Sequence, residues 1–308
     1  MKAMMLGAVL ALSLATGVAA AETKTPAASP SASDAKDWRN VDPANLLLID
    51  TRYGRIAIEM EPDFAPGHVA RVRALVRAHF YDGLSFYRVI DGFVAQGGIG
   101  EGTAATKDHP RRAADLKKWP PLKAEFDRPA ADIPDSFTPL GSPDLFAQEV
   151  GHVKGFPVGR DTKEGREWII HCPGTFAFAR DNGADTATTE FYIVIGEAPR
   201  RLDRNLTAFG RVIAGMRYVQ KLTRGNPKIE SGVIQDVAKR DKILKARIAA
   251  DLPAAERPHY QVMRTTSAAF AKWKADRINP APGFYVRTPP KVLDVCLSPV
   301  PSRRVTDQ

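Results

Sequence analysis

The sequence predicts a mainly β protein, a barrel or sandwich with helices closing its ends. Three observations carry this. Short runs that alternate apolar and polar residues recur along the chain. Few stretches show a helical apolar period. The connecting segments are rich in Pro and Gly.

The chain starts with Lys2, an apolar run from Met4 to Val18, and Ala19-Ala20-Ala21 before Glu22. Residues 1–21 therefore read as a signal peptide, too short and wrongly flanked to be a membrane span. The expectation is an exported protein without a membrane anchor, periplasmic first and released from the cell second. Residues 22–43 are rich in Ala, Ser, Pro, Thr and Lys and read as a flexible linker.

Folding signals begin near Leu46. In "LLLIDTRYGRIAIEM", Ile56, Ile58 and Met60 alternate with Arg55, Ala57 and Glu59, which predicts a hairpin turning near Tyr53-Gly54. After Pro66, Val69, Val72 and Val76 recur at helical spacing, predicting an amphipathic helix that ends near His79. "FYRVIDGFVAQGG" (86–98) follows as one or two strands. Residues 99–170 look irregular, with "TPLGSPD" and "KGFPVGRDTKEG" read as long loops around a few short strands. Strands return at 174–180, 189–196 and 206–213, and Met216, Val219 and Leu222 suggest a second helix. Residues 226–308 form a C-terminal extension with one further helix at "SAAFAKWKADR".

The 308-residue chain carries a formal charge of +9, but its basic residues fall in short pairs such as Arg111-Arg112 and Lys117-Lys118. That pattern reads as solvated surface, not as a nucleic-acid footprint. The six histidines form no H-E-x-x-H, two separated cysteines do not make a zinc set, and "GFPVGRDTKEG" lacks the Gly-Lys-Ser/Thr of a phosphate loop. Neither metal nor cofactor is expected. Asn205-Leu206-Thr207 matches a glycosylation sequon but falls in a predicted strand region. Cys172 and Cys296 are either a disulfide, which export would permit, or two buried thiols.

Three blocks, in order, resemble the cyclophilin-type peptidyl-prolyl isomerases: "FYRVIDGFVAQGG" (86–98), "ARDNGADTATTEFYIVIG" (179–196) and "LDRNLTAFGRVIAGM" (202–216). The resemblance covers residues 44–225. It implies an eight-stranded antiparallel β-barrel capped by two α-helices, with 99–170 as an insertion and 202–216 as the closing strand and second helix. It also implies catalysis of X-Pro rotation without a cofactor, in proline-containing peptides and in unfolded or folding proteins. Arg88 would be the catalytic arginine. Phe93, Val94, Tyr192 and Leu202 would line the proline pocket, Gln96 would bind the peptide backbone, and Ala179 and Arg180 would flank the groove.

The chain departs from the family pattern at several of these positions. Tyr87 and Val94 replace the common His and Met, Glu190 the usual Gln, Tyr192 a Phe and Leu206 a pocket His. Arg201 stands where cyclosporin-binding members have Trp, which implies weak sensitivity to that drug. A carboxylate at Glu190 is expected either to compete for the donors of Arg88 or to orient them. In the first case the groove would serve as a proline-segment-binding chaperone or interaction module with little turnover.

Overall fold

The computed structural model describes residues 34–100, 103–130, 137–281 and 283–305. The proposed signal peptide lies outside them.

A barrel organises the molecule. Its strands are β1 (Leu46–Thr51), β2 (Gly54–Met60), β3 (Ser85–Val89), β4 (Val94–Gly98), β5 (Thr175–Phe178), β6 (Phe191–Val194) and β7 (Ala208–Ala214), with an eighth in two halves, Asp241–Lys242 and Lys245–Ile248. All pairings are antiparallel, in the order β3-β4-β6-β5-β7-β2-β1. The first half of the eighth strand pairs with β3 and the second with β1. Between them, the Ile243 N–H bonds to the Leu84 carbonyl and the Leu244 N–H to the Asp50 carbonyl. One stretch of chain thus zips both open edges, which removes the edge strands an open sheet would expose.

This corrects two expectations. The closing strand is 241–248, not part of 202–216, and the barrel extends beyond residue 225 into the supposed extension. Removing 226–308 would take the eighth strand with it.

Alternation along each strand builds the core. Phe86, Val89, Ala95, Phe176, Phe178, Phe191, Ile193 and Phe209 are buried inside with Ile56, Ile58 and Met60. The helix Pro66–Arg77 starts with proline at its first turn and lays Val69, Val72, Leu75 and Val76 on that core, as its spacing predicts. The second helix is a single turn, Met216–Val219, with Val219 and Leu222 buried.

The insertion is more ordered than its composition suggests. Residues 128–169 contribute a five-stranded antiparallel sheet. Its strand Phe156–Asp161 runs through "KGFPVGRDTKEG", which was expected to be loop. Gly159 belongs there because a Cβ would lie 2.8 Å from the Trp168 indole. This sheet packs on the outside of the barrel, where Val153, Phe156, Val158 and Ile169 join Val94, Tyr192 and Val194.

The linker expectation also fails at its C-terminal end. Trp38–Asn40 is a strand paired with His259–Met263, which in turn pairs with Ser302–Val305. This three-stranded sheet rests on β1, β2 and β7 through Val41, Leu48, Ile213, Val262 and Phe270. The predicted extension helix is Ala268–Ile278, capped by Ser267 Oγ accepting from the Phe270 N–H. Cys172 and Cys296 are disulfide-bonded, with Cα atoms 4.8 Å apart, which ties the last segment to the barrel.

Candidate active site

The site begins with register. Arg88 on β3 stands opposite Gln96 on β4, Gln96 opposite Tyr192 on β6, and Tyr192 opposite Ala177 on β5. Directly opposed residues share a face, so Arg88, Gln96 and Tyr192 form one row on the outside of the barrel. Val94 and Val194 lie one step along the same face. A β-bulge between Phe86 and Arg88 makes this possible. It keeps Phe86 in the core while turning Arg88 outward, and so accounts for an arginine in an otherwise apolar strand.

The two glycines that end β4 serve this arrangement. A Cβ on Gly97 would lie 2.7 Å from the Phe191 ring. A Cβ on Gly98, at φ +143°, would lie 2.5 Å from the Glu190 carboxylate.

Most of the expected pocket residues meet. Phe93, Val94, Ala179, Tyr192 and Leu206 pack in one apolar cluster with Ala177 and Ala208. Leu202 does not join that cluster; it lies half-buried in the one-turn helix Arg200–Leu202. Ala179 and Arg180 line a cleft of about 230 Å³ with Gln96, Pro121, Asp181, Thr186, Thr188 and Glu190. Pro121 comes from the insertion, held beside the cleft by a Leu122–Ala187 bridge. Arg180 is fixed by its Nε–H donating to the Asn205 carbonyl at 2.9 Å.

Arg88 is half-buried and held from two sides. Its Nη1 donates to Gln96 Oε1 at 3.0 Å, and its Nε donates to the Ser231 carbonyl at 2.7 Å. Neither bond uses Nη2. The segment bearing Ser231 is bound to β3 on the other side, with the Ile234 N–H donating to the Tyr87 carbonyl. Burial pulls Arg88 below the usual arginine value, and it remains a cation near neutral pH.

Glu190 does not compete for Arg88. Its two oxygens accept from the Ile99 and Gly100 backbone N–H groups at 3.0 and 2.9 Å, and from Thr189 Oγ1 at 3.1 Å. Burial nevertheless raises the carboxyl from 4.5 to about 7. A carboxyl held above its unfolded value contributes stability that is complete below 4.5 and lost as pH rises through 7. The loss is on the order of 3 kcal/mol. Urea midpoints taken on both sides of this window should fall with rising pH, and fall less in Glu190→Gln.

Tyr192 does not polarise the pocket floor, because its hydroxyl is engaged behind it. Tyr192 Oη lies 2.8 Å from His171 Nε2, and His171 Nδ1 faces Asp203 Oδ1 at 2.9 Å. Asp203 accepts from Arg200 Nε at 2.7 Å, and Arg200 forks onto Asp144 at 2.8 and 2.9 Å. The aromatic floor is thereby anchored to the insertion. Nothing in the spacing of residues 144, 171, 192 and 203 signals the contact. His171→Ala should leave two buried polar groups without their partner and cost about 2–4 kcal/mol in denaturant unfolding.

Among the described residues, no group of three or more His, Cys, Asp or Glu could hold a metal ion, and no helix is long and apolar enough to cross a membrane.

Residues 46–248 match the family model described as "Cyclophilin type peptidyl-prolyl cis-trans isomerase/CLD". The fold and the match make the protein a peptidyl-prolyl cis-trans isomerase. The chain is 30% identical over 212 residues to a "Probable peptidyl-prolyl cis-trans isomerase" of Brucella suis, covering 68% of this chain and 85% of that relative. It is 28% identical over 172 residues to "Peptidyl-prolyl cis-trans isomerase B" of Bacillus subtilis, covering 56% of this chain and 85% of that one. The crystal structure of cyclophilin AquaCyp293 from Hirschia baltica superposes with a TM-score of 0.70 at 28% identity, covering 90% of this chain and 96% of that structure. The chain belongs to the cyclophilin family.

Proposed function

We propose that this isomerase acts on X-Pro bonds of exported proteins, with Arg88 stabilising the twisted amide. Rotation about an X-Pro bond loses amide resonance. As it does, the prolyl nitrogen pyramidalises and becomes a hydrogen-bond acceptor. A guanidinium fixed beside it stabilises the twisted state more than either planar state, which is the condition for rate enhancement. Arg88, clamped by Gln96 and the Ser231 carbonyl, is such a group, and this is the observation that carries the reading. The proline ring would sit against Phe93, Val94, Tyr192 and Leu206, and the Gln96 amide would bind the peptide backbone. No step needs a nucleophile or a cofactor.

Export rests on two observations. The N-terminal residues have the pattern of a signal peptide, and the two cysteines are disulfide-bonded. Slow X-Pro isomerisation limits the folding of many chains, so an exported isomerase would serve proteins folding outside the cytosol, in the periplasm by this reading.

The test is the cis-trans exchange rate of a short Ala-Pro peptide by NMR, with and without the protein. Cell fractionation with N-terminal sequencing tests export. No acceleration by a folded, peptide-binding protein would sink the catalytic assignment for that substrate. A chain retained in the cytosol with residues 1–21 intact would sink the second.

A further inference from the structure

A second cavity, of about 240 Å³, lies where the barrel, the inserted sheet and the C-terminal segment meet. It shares no lining residue with the cleft beside Gln96. One water molecule takes about 30 Å³ of liquid volume, so a single bound water does not account for it. Arg211 on β7 and His152 of the inserted sheet line it, and residues 295–302 and the Cys172–Cys296 disulfide close it.

The polar groups of this cavity are short of partners. Arg211 is 8% exposed. Its Nη2 reaches Glu59 Oε2 only at 3.5 Å and its Nη1 the Val300 carbonyl only at 3.4 Å, both at the outer limit of a hydrogen bond. Its Nε has no partner among the described residues. Glu59 is committed elsewhere, accepting from Arg39 Nη1 at 2.6 Å. Two guanidiniums thus share one carboxylate, which leaves one positive charge over in a buried place. His152 is 1% exposed, and neither ring nitrogen has a partner among the described residues. The Ser298 backbone comes near the ring without closing a bond of good geometry. Burial, with Arg211 and Lys274 nearby, pushes the imidazole down to about 3, so it is neutral near pH 7 and offers one N–H. Gly155, at φ +89°, leaves the edge of the guanidinium uncovered, since a Cβ there would lie 3.0 Å from Arg211 Nη2.

We propose that this cavity binds a small organic anion, a monocarboxylate with a compact apolar body. The charge follows from the ion count: one carboxylate balances the surplus guanidinium, whereas a dianion would overbalance it beside Glu59. The head group follows from shape, because a planar guanidinium meets a carboxylate as a two-pronged fork. The neutral His152 ring adds one further donor. The body follows from the remaining walls, which are Pro157, Pro173, Val212, Val300 and the disulfide. Lys274, the other cation bearing on His152, is half-buried and donates to the Pro139 carbonyl at 3.1 Å. The proposal makes no use of Arg88.

The experiment titrates the whole native protein with isobutyrate, and separately with isobutyramide, its uncharged isostere. NMR follows the Arg211 Nε–H and the backbone amides. Saturable shifts are expected at Arg211 Nε–H and at the amides of Gly155, Thr175 and Val212, with a Kd on the order of 1 mM. Isobutyramide should produce none. The melting temperature should rise by about 2–4 °C at about tenfold that concentration of isobutyrate. Arg211→Met, which fills the same space without a buried charge, should lose the response. Exchange of an Ala-Pro peptide should not change with isobutyrate, which separates this site from the groove. Equal shifts from isobutyrate and isobutyramide would mean that shape alone fills the cavity and would overturn the anionic assignment. Inorganic phosphate that binds the same residues as tightly overturns the carboxylate. Shifts at Gln96 in place of Arg211, no saturable shift at all, or an undiminished response in Arg211→Met each overturn the proposal. If Arg211→Met does not fold, the native protein with the two isosteres still decides.

Discussion

Arg88→Ala should fold like the native protein and lose about 10²–10³ in kcat/KM toward Ala-Pro peptides, the usual effect of removing one donor aimed at transition-state charge. The fold should survive because Arg88 sits on the outer face, with its side chain only half-buried and its bonds made to one side chain and one carbonyl. The apolar cluster of Phe93, Val94, Tyr192 and Leu206 is untouched by the change. Peptide affinity should therefore fall much less than turnover. Arg88→Lys should recover little, since an ammonium cannot keep a donor on Gln96, another on the Ser231 carbonyl and a third on the substrate in one plane. The measurement is two-dimensional exchange NMR on the peptide, together with a melting curve. A loss of binding equal to the loss of rate would mean that Arg88 only holds the ground state.

Reduction of the Cys172–Cys296 bridge should lower stability by about 5 kcal/mol in the chain-entropy model, because its two ends are 124 residues apart. The affected surface is specific. Cys172 packs with Leu140, Val150, Trp168 and Ile170 of the inserted sheet, and Leu293 and Val295 close over them from the C-terminal segment. Reduction should first loosen that segment and then the insertion. The Arg200–Asp144 pair that steadies Asp203, His171 and Tyr192 crosses the same region. Activity should decline with the bridge although neither cysteine touches the row of Arg88, Gln96 and Tyr192. Melting temperature and peptide exchange, each measured with and without reductant, check this. An unchanged melting temperature would show that the segment is held by packing alone.

The fold was legible in sequence wherever one face of an element is apolar. The hairpin of β1 and β2 and the helix Pro66–Arg77 follow directly from residue spacing. The eighth strand was not, because its alternation breaks at Leu244 and Lys245, both exposed, where the chain crosses from one barrel edge to the other. Phe156–Asp161 was hidden by Pro157 and by Gly159, and Gly159 is there because Trp168 leaves no room for a Cβ. Trp38–Asn40 was submerged in a low-complexity composition and is a strand only because His259–Met263 receives it. In the site, Arg88, Gln96 and Tyr192 were found through the three ordered blocks. The register across β3, β4 and β6 then shows why they must share a face. The support behind them was out of reach: the His171–Asp203 pair and the Ser231 carbonyl are long-range contacts that leave no local pattern.

The two-part eighth strand also sets a schedule. A chain that emerges N-terminus first presents β1 and β3 with unfilled edges, and these stay open until residues 241–248 arrive. The strand Trp38–Asn40 waits longer, for His259–Met263. Pairings this far apart in sequence are slow to form, since the intervening loop must be ordered before it is rewarded. Until then the nascent barrel resembles the unfinished chains its own activity would serve, with sticky edges and unsettled prolines. An isomerase built this way is itself a late finisher, and its most dangerous moment comes just before its last strand is delivered.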